Sequence, residues 1–385
     1  MSASQWRRAM NSAATAAAPS SLPRTTRLRE AGDGSRPVDA PGPAPLWSER
    51  IGIRPRHLVV LAAALLYPFI ASPFFTYQIG AQSLALGLIA LSLTFLGGYG
   101  GMVSLAQMTI AGLAGYLVAI FGTSSMVSIS LGWPWWLAVP FALLGATVFA
   151  AAVGWLSVRT EGIYTIMITL AIGVAFYYLA LQNYTIFNGF QGFQRVYPPV
   201  VFDIDWRSPV PFYFLALGCA LAGYLLVKYL VRSPFGVALQ GVRDNPRRMN
   251  ALGFNVTAHR VAAYAVAGVL ASVGGVLFIW YNGLITPNSV GTSWLINVLV
   301  IAVLGGMKHP IGPFAGAIVF VLLQTFAIDV IDRERFNLVI GGVFLAIVLF
   351  SPDGLLGLWA WLRQRLQRSS ASRPVSSTLR QERRH

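Results

Sequence analysis

The sequence predicts an all-α integral membrane protein, a polytopic bundle of about ten transmembrane helices, some short or broken, with both termini cytoplasmic. Three observations predict it. Of 385 residues, 56% are hydrophobic and only 11% are charged, the balance of a multispanning chain. The apolar residues gather into stretches near the roughly 17–25 residues that cross a bilayer. The basic residues lie between those stretches with a one-sided bias.

In chain order, residues 1–56 come first, rich in Ala, Ser, Pro and Arg and poor in aliphatics. They cannot bury a core and are expected to form a disordered basic cytoplasmic tail. Glu30, Asp33, Asp39 and the prolines argue against a transit peptide, and no short apolar region with a cleavage site precedes the first span. Residues 57–353 form the transmembrane domain. Spans are expected at 58–75, 79–96, 103–121, 134–156, 163–181, 210–227, 261–281 and 311–328, with two shorter ones at 289–304 and 336–350. Residues 354–385 are read as an interfacial segment carrying Leu355, Leu356, Leu358, Trp359, Trp361 and Leu362, followed by a basic cytoplasmic tail. With the N-terminus inside, 24 of the 28 Lys/Arg fall on the inner side. An odd number of spans would put one basic tail outside, against the bias.

The net charge of +15 raises the question of nucleic acid, but the basic residues flank the spans as topology anchors, so no nucleic-acid partner is assigned. None of the 13 acidic residues lies within an expected span. A proton-coupled carrier normally keeps ionisable groups inside the membrane; a sodium carrier can use carbonyl oxygens and is less strongly excluded. The lone Cys219 has no disulfide partner, and His57, His259, His309 and His385 are too scattered to form a metal site. There is no Gly-x-x-x-x-Gly-Lys-Ser/Thr loop for ATP. The chain is therefore not read as an enzyme, and no cofactor is called for. A secondary carrier or channel and a membrane-embedded enzyme stay as competing classes.

Four segments stand out. The first runs Gly97-Gly-Tyr-Gly-Gly-Met-Val-Ser-Leu-Ala-Gln107, in which Gly98, Gly100 and Gly101 allow a turn and Ser104 and Gln107 bring polar groups into an apolar stretch. It reads either as a broken helix lining a pathway or as a tight turn before a packed helix. The second, from Arg159 to Ala171, carries Thr169, whose hydroxyl could line a path or bond back to the backbone. The third is the basic loop 228–260. Phe235, Ala238, Leu239 and Val242 recur at i, i+3, i+4 and i+7, an amphipathic stripe. Asn245 suits an N-cap, Pro246 the first helical position and Gly253 a C′ stop, so two short helices with an elbow near Asp244 are expected. The stripe must cover the membrane surface, the chain's own core or a partner. The fourth is the hairpin around Gly305, Gly306 and Gly312, with Gly312-x-x-x-Gly316 spaced for close helix approach. The short span before it reads as a possible half-helix, and Asn297 lies within it. The double-glycine turns hint at an internal repeat.

Taken together and in order, these pieces resemble the permease subunits of ABC importers for branched-chain and other hydrophobic amino acids, in particular the longer of the two paired permeases. The pieces are Gly98-Tyr-Gly-Gly with Ser104-Leu-Ala-Gln107, Gly162-Ile-Tyr164 with Thr169-Leu-Ala171, Arg232-Ser-Pro-Phe-Gly236, Arg243-Asp-Asn245 with Ala251-Leu-Gly-Phe-Asn255, Leu304-Gly-Gly306 with Gly312-Pro313, and Phe350-Ser-Pro-Asp-Gly354. The resemblance implies a passive multi-pass pore subunit in a bacterial plasma (inner) membrane. It implies a second related permease, two cytoplasmic ABC ATPases and an extracytoplasmic substrate-binding protein as partners, with membrane lipid around them. The ATPases would dock on the coupling loop 228–260 through Phe235, Leu239, Arg243, Asp244, Asn245, Ala251 and Gly253. Ser104, Gln107, Thr169 and Asn297 are the path candidates. Importers of urea and other small solutes share much of this scaffold.

Overall fold

The computed structural model describes residues 55–330 apart from 161 and 202, together with 341–342, 345, 354–355 and 357. The expected span at 336–350, the interfacial segment and both tails lie largely or wholly outside the described residues. Within them the protein is helical: α1 (Pro55–Ile70), α2 (Phe75–Tyr99), α3 (Gln107–Phe121), α4 (Trp135–Ser157), α5 (Ile163–Gln182), α6 (Pro209–Arg232), α7 (Pro234–Asp244), α8 (Pro246–Ala251), α9 (Val256–Asn282), α10 (Thr292–Gly305) and α11 (Gly312–Val330).

Helices α2, α4, α5, α6 and α9 are long and apolar enough to cross a membrane. The sequence reading expected about ten spans, two of them short; among the helices that fall below full length are α10, one of those expected to be short, and α3, which was not. Helix α3 has 15 residues and α10 has 14. At 1.5 Å per residue each reaches only about 21–23 Å, short of a hydrocarbon core of about 30 Å. Residues 103–106, expected to be helical, are not. A short 3-10 turn, Pro287–Val290, precedes α10 and takes up the start of the stretch read as a span.

Helices α2 and α9 form the centre. The most apolar 18-residue windows of α2 and α9 are 94% and 72% buried, against 33%, 28% and 33% for α4, α5 and α6. Helix α2 packs on α9, α10 and α11, and α9 also packs on α3 and α4. Small residues make this possible: a Cβ on Gly275 of α9 would fall on the backbone of Ala111 in α3. Gly316 sits in the same way on the Ile301 carbonyl, so the Gly312-x-x-x-Gly316 spacing brings α11 against α10.

Caps and turns fix the remaining boundaries. Asn255 starts α9 by accepting from the Ala258 amide at 3.0 Å, and Gly283 stops it with φ +67°. After α5, residues 183–208 carry three two-residue strands. β1 (Phe193–Gln194) pairs antiparallel with β4 (Leu284–Ile285), with Phe193 opposite Ile285; β2 (Val200–Val201) pairs with β3 (Ile204–Asp205). The first pairing ties this segment to the turn after α9.

Candidate functional site

The basic loop folds as its sequence spacing suggests. Ser233 ends α6, and its Oγ accepts from the Gly236 amide at 3.3 Å to begin α7. Asn245 forms the elbow: its Oδ1 accepts from the Arg248 amide at 3.0 Å, Pro246 takes the first helical position, and Gly253 follows α8 with φ +88°. The apolar stripe covers the chain's own core. Leu239 and Val242 are 0% exposed, and Ala238 is buried beside them. Phe235 stacks on His259 with ring centroids 5.9 Å apart, and Phe254 meets the same imidazole edge-on. Leu239 and Phe235, assigned to a partner contact by the sequence reading, are therefore inward anchors of the loop. Burial of apolar surface against the body outweighs holding it ready for another chain. The outward surface includes Val237, Arg243, Asp244, Asn245, Arg247, Arg248, Asn250, Ala251, Leu252 and Gly253.

Arg243 also departs from expectation. Its Nη1 donates to the Gly98 carbonyl at 2.7 Å, and its Nε to Asp244 Oδ1 at 2.9 Å. Gly101 has φ +68°, and the stem of Arg243 fills the place a Cβ would take there. A Cβ on Gly98 would likewise fall on the Met307 carbonyl oxygen, and the Tyr99 hydroxyl donates to the Lys308 carbonyl at 3.3 Å. Both double-glycine turns and the basic loop thus meet at one junction. Gly305 and Gly312 close the second turn backbone to backbone, and Gly306 has φ +96°. Gly100 sits over the Leu96 carbonyl at the end of α2.

The first glycine segment is a break in the helical register, and its polar residues hold that break together. The Leu105 amide donates to Thr169 Oγ1 at 3.1 Å, and the Ala106 amide to Ser104 Oγ at 3.3 Å. Thr169 Oγ1 itself donates to the Thr165 carbonyl at 3.0 Å. Ser104 and Thr169, named as path candidates, thus satisfy backbone groups that the break leaves open. Gln107 is 1% exposed; its Oε1 accepts from Ser92 Oγ at 2.9 Å, while its Nε2 has no partner among the described residues. Asn297, half-buried on α10, makes no side-chain hydrogen bond to these groups among the described residues. Two features were missed in the sequence. Ser92 is one of three hydroxyls in an apolar span, and its position fifteen residues before Gln107 carried no signal. Tyr116 packs edge-on against Phe176, Phe187 and Phe193, whose scatter along the chain hid the cluster.

Comparison with known proteins follows the same segments. The family described as branched-chain amino acid transport system, permease component, matches residues 75–348. The chain is 24% identical over 322 residues to the high-affinity branched-chain amino acid transport system permease protein LivM of Salmonella typhimurium, covering 78% of this chain and 74% of LivM. LivM of Escherichia coli is also 24% identical over 322 residues, with 78% and 73% covered. The permease protein LivH of Escherichia coli is 24% identical over 290 residues, covering 70% of this chain and 90% of LivH. These shares make LivM the longer of the two relatives. No solved structure matches the chain significantly. The match from the start of α2 to beyond α11 takes in every element of the junction, and the chain belongs to the family of branched-chain amino acid transport permease components.

Proposed function

We propose that this chain is the non-enzymatic, pore-forming subunit of an ATP-driven, binding-protein-dependent importer of branched-chain or other hydrophobic amino acids. It spans a bacterial plasma (inner) membrane about ten times with both termini in the cytoplasm, and it pairs with a second, related permease. Two cytoplasmic ABC ATPases dock on the loop 228–260, and an extracytoplasmic binding protein delivers the substrate. Support for membership comes from the family match and from relatives named as branched-chain amino acid permeases.

The observation that carries the reading is α8. It has six residues and none of them is buried. So short a helix is marginal in isolation, and this one rests on its caps and on the anchored α7 before it. The loop presents Arg247, Arg248, Ala251 and Leu252 outward, a mixed basic and apolar face of the kind that docks on another protein. For the path we retain Gln107 as the first candidate, because its buried Nε2 is a donor left over after the break has been satisfied.

The test is gentle purification of the full chain from a host expressing its transport partners, followed by reconstitution. ATPases and a second permease should copurify, and uptake should require both ATP and the binding protein. Uptake by the purified chain alone, driven by an ion gradient, would overturn the proposal. A binding protein that takes urea in preference to leucine would keep the importer and replace its substrate.

A further inference from the structure

We infer that Arg243 is a positioning residue that carries movement of the coupling loop into the membrane domain, acting as a latch between the loop and the end of α2. The inference rests on the proposal that ATPases dock on this loop. Three contacts converge on it. The guanidinium grips the Gly98 carbonyl at 2.7 Å and Asp244 at 2.9 Å. The side-chain stem fills the place vacated by the missing Cβ of Gly101. Gly98 in turn rests on the Met307 carbonyl, and Tyr99 bonds to Lys308 at 3.3 Å, so the grip also reaches the turn between α10 and α11.

The element it holds is built to deform. The last turn of α2, Phe95–Tyr99, is π-helical, a wide turn of the kind that concentrates at functional positions. One turn back, Ser92 holds Gln107 at 2.9 Å across the break. A pull on Gly98 therefore acts at the end of the helix whose hydroxyl positions the one buried amide of the break. An arginine at this position suits the task. Its planar fork holds two acceptors at once in fixed directions, which a lysine cannot reproduce.

The experiment compares Arg243→Ala and Arg243→Lys with the unaltered protein in the reconstituted importer, reading ATPase copurification, ATP hydrolysis and substrate uptake separately. Arg243→Ala should keep its ATPases and go on hydrolysing ATP, while uptake per ATP falls about tenfold, the scale of one lost charge-assisted hydrogen bond. Arg243→Lys should recover part of that ratio. A residue with a merely structural role would lower hydrolysis and uptake together. If Arg243→Ala fails to insert, Gly101→Ala displaces the same stem from the other side and should give the same split. An unchanged uptake-to-hydrolysis ratio, a parallel loss of both, or loss of the ATPases from Arg243→Ala would each overturn the latch while leaving docking on the loop intact. Absence of any ATPase from the unaltered complex would overturn both.

Discussion

Helices α7 and α8 are consecutive and joined by one residue, yet they are stabilised in opposite ways. Helix α7 buries Gly236, Ala238, Leu239 and Val242, and its Gln240 amide donates back to the Val231 carbonyl at 3.2 Å. Helix α8 buries nothing and stands on Asn245, Pro246 and Gly253. The difference teaches that a basic loop can divide its length: one helix belongs to the fold and sets the position, and the other keeps its surface outward. The resemblance read from the sequence assigned residues of both to the same task.

The sharpest way to break this comparison is Leu239→Ala. Removing a fully buried Leu should cost about 2–5 kcal/mol and lower the thermal unfolding midpoint in detergent. An unchanged midpoint would mean that α7 is not part of the core. Next is the double reversal Arg247→Glu with Arg248→Glu. It should leave that midpoint within error and weaken ATPase retention about tenfold at low salt, with the deficit shrinking as ionic strength rises. Equal retention at every salt concentration would remove α8 from the docking face. Asn245→Ala deletes the cap of α8 and should cost about 1 kcal/mol of helix stability. Faster amide exchange confined to 246–251 would show it, and exchange spreading into α7 would contradict the division. The smallest change is Gly253→Ala. Nothing lies within 4 Å of the new methyl group, so only the strain at φ +88° remains, about 1 kcal/mol, readable as a modest increase in the same exchange.

How much was legible in the sequence follows from the range of the forces involved. The elbow between α7 and α8 and the stop after α8 were legible because caps, prolines and positive-φ glycines act within a few residues. The phase of the stripe was legible because periodicity is local. What it covers was not, since the membrane, the body of the protein and a partner all favour the same apolar face. The direction of Arg243 was hidden for a different reason. Its acceptor is a backbone carbonyl 145 residues away, and a carbonyl has no residue type to mark it. Ser104 and Thr169 were recognised as polar groups in apolar stretches, but the sequence could not distinguish lining a path from closing a broken backbone. The short reach of α3 was illegible because an apolar stretch has the same composition whether or not all of it is helical; that of α10 was legible in the glycines and proline that precede it.

Helix α2 also bears on the order in which the protein is made. It is synthesised well before α9, α10 and α11, the helices that later surround it. Until they arrive it must rest in lipid, where an unpartnered polar group is costly. Several of its hydroxyls bond within the same stretch of chain: Thr76 to the Ser72 carbonyl at 3.1 Å, Ser83 to Gly80 at 3.2 Å, and Ser92 to Ile89 at 2.6 Å. These local bonds let the helix wait in the bilayer with those hydroxyls already satisfied, and Ser92 can then share its one hydrogen between the Ile89 carbonyl and Gln107 Oε1 once α3 has folded beside it. The polar join at the centre of the protein is thus assembled late, onto a helix whose own hydroxyl was already bonded.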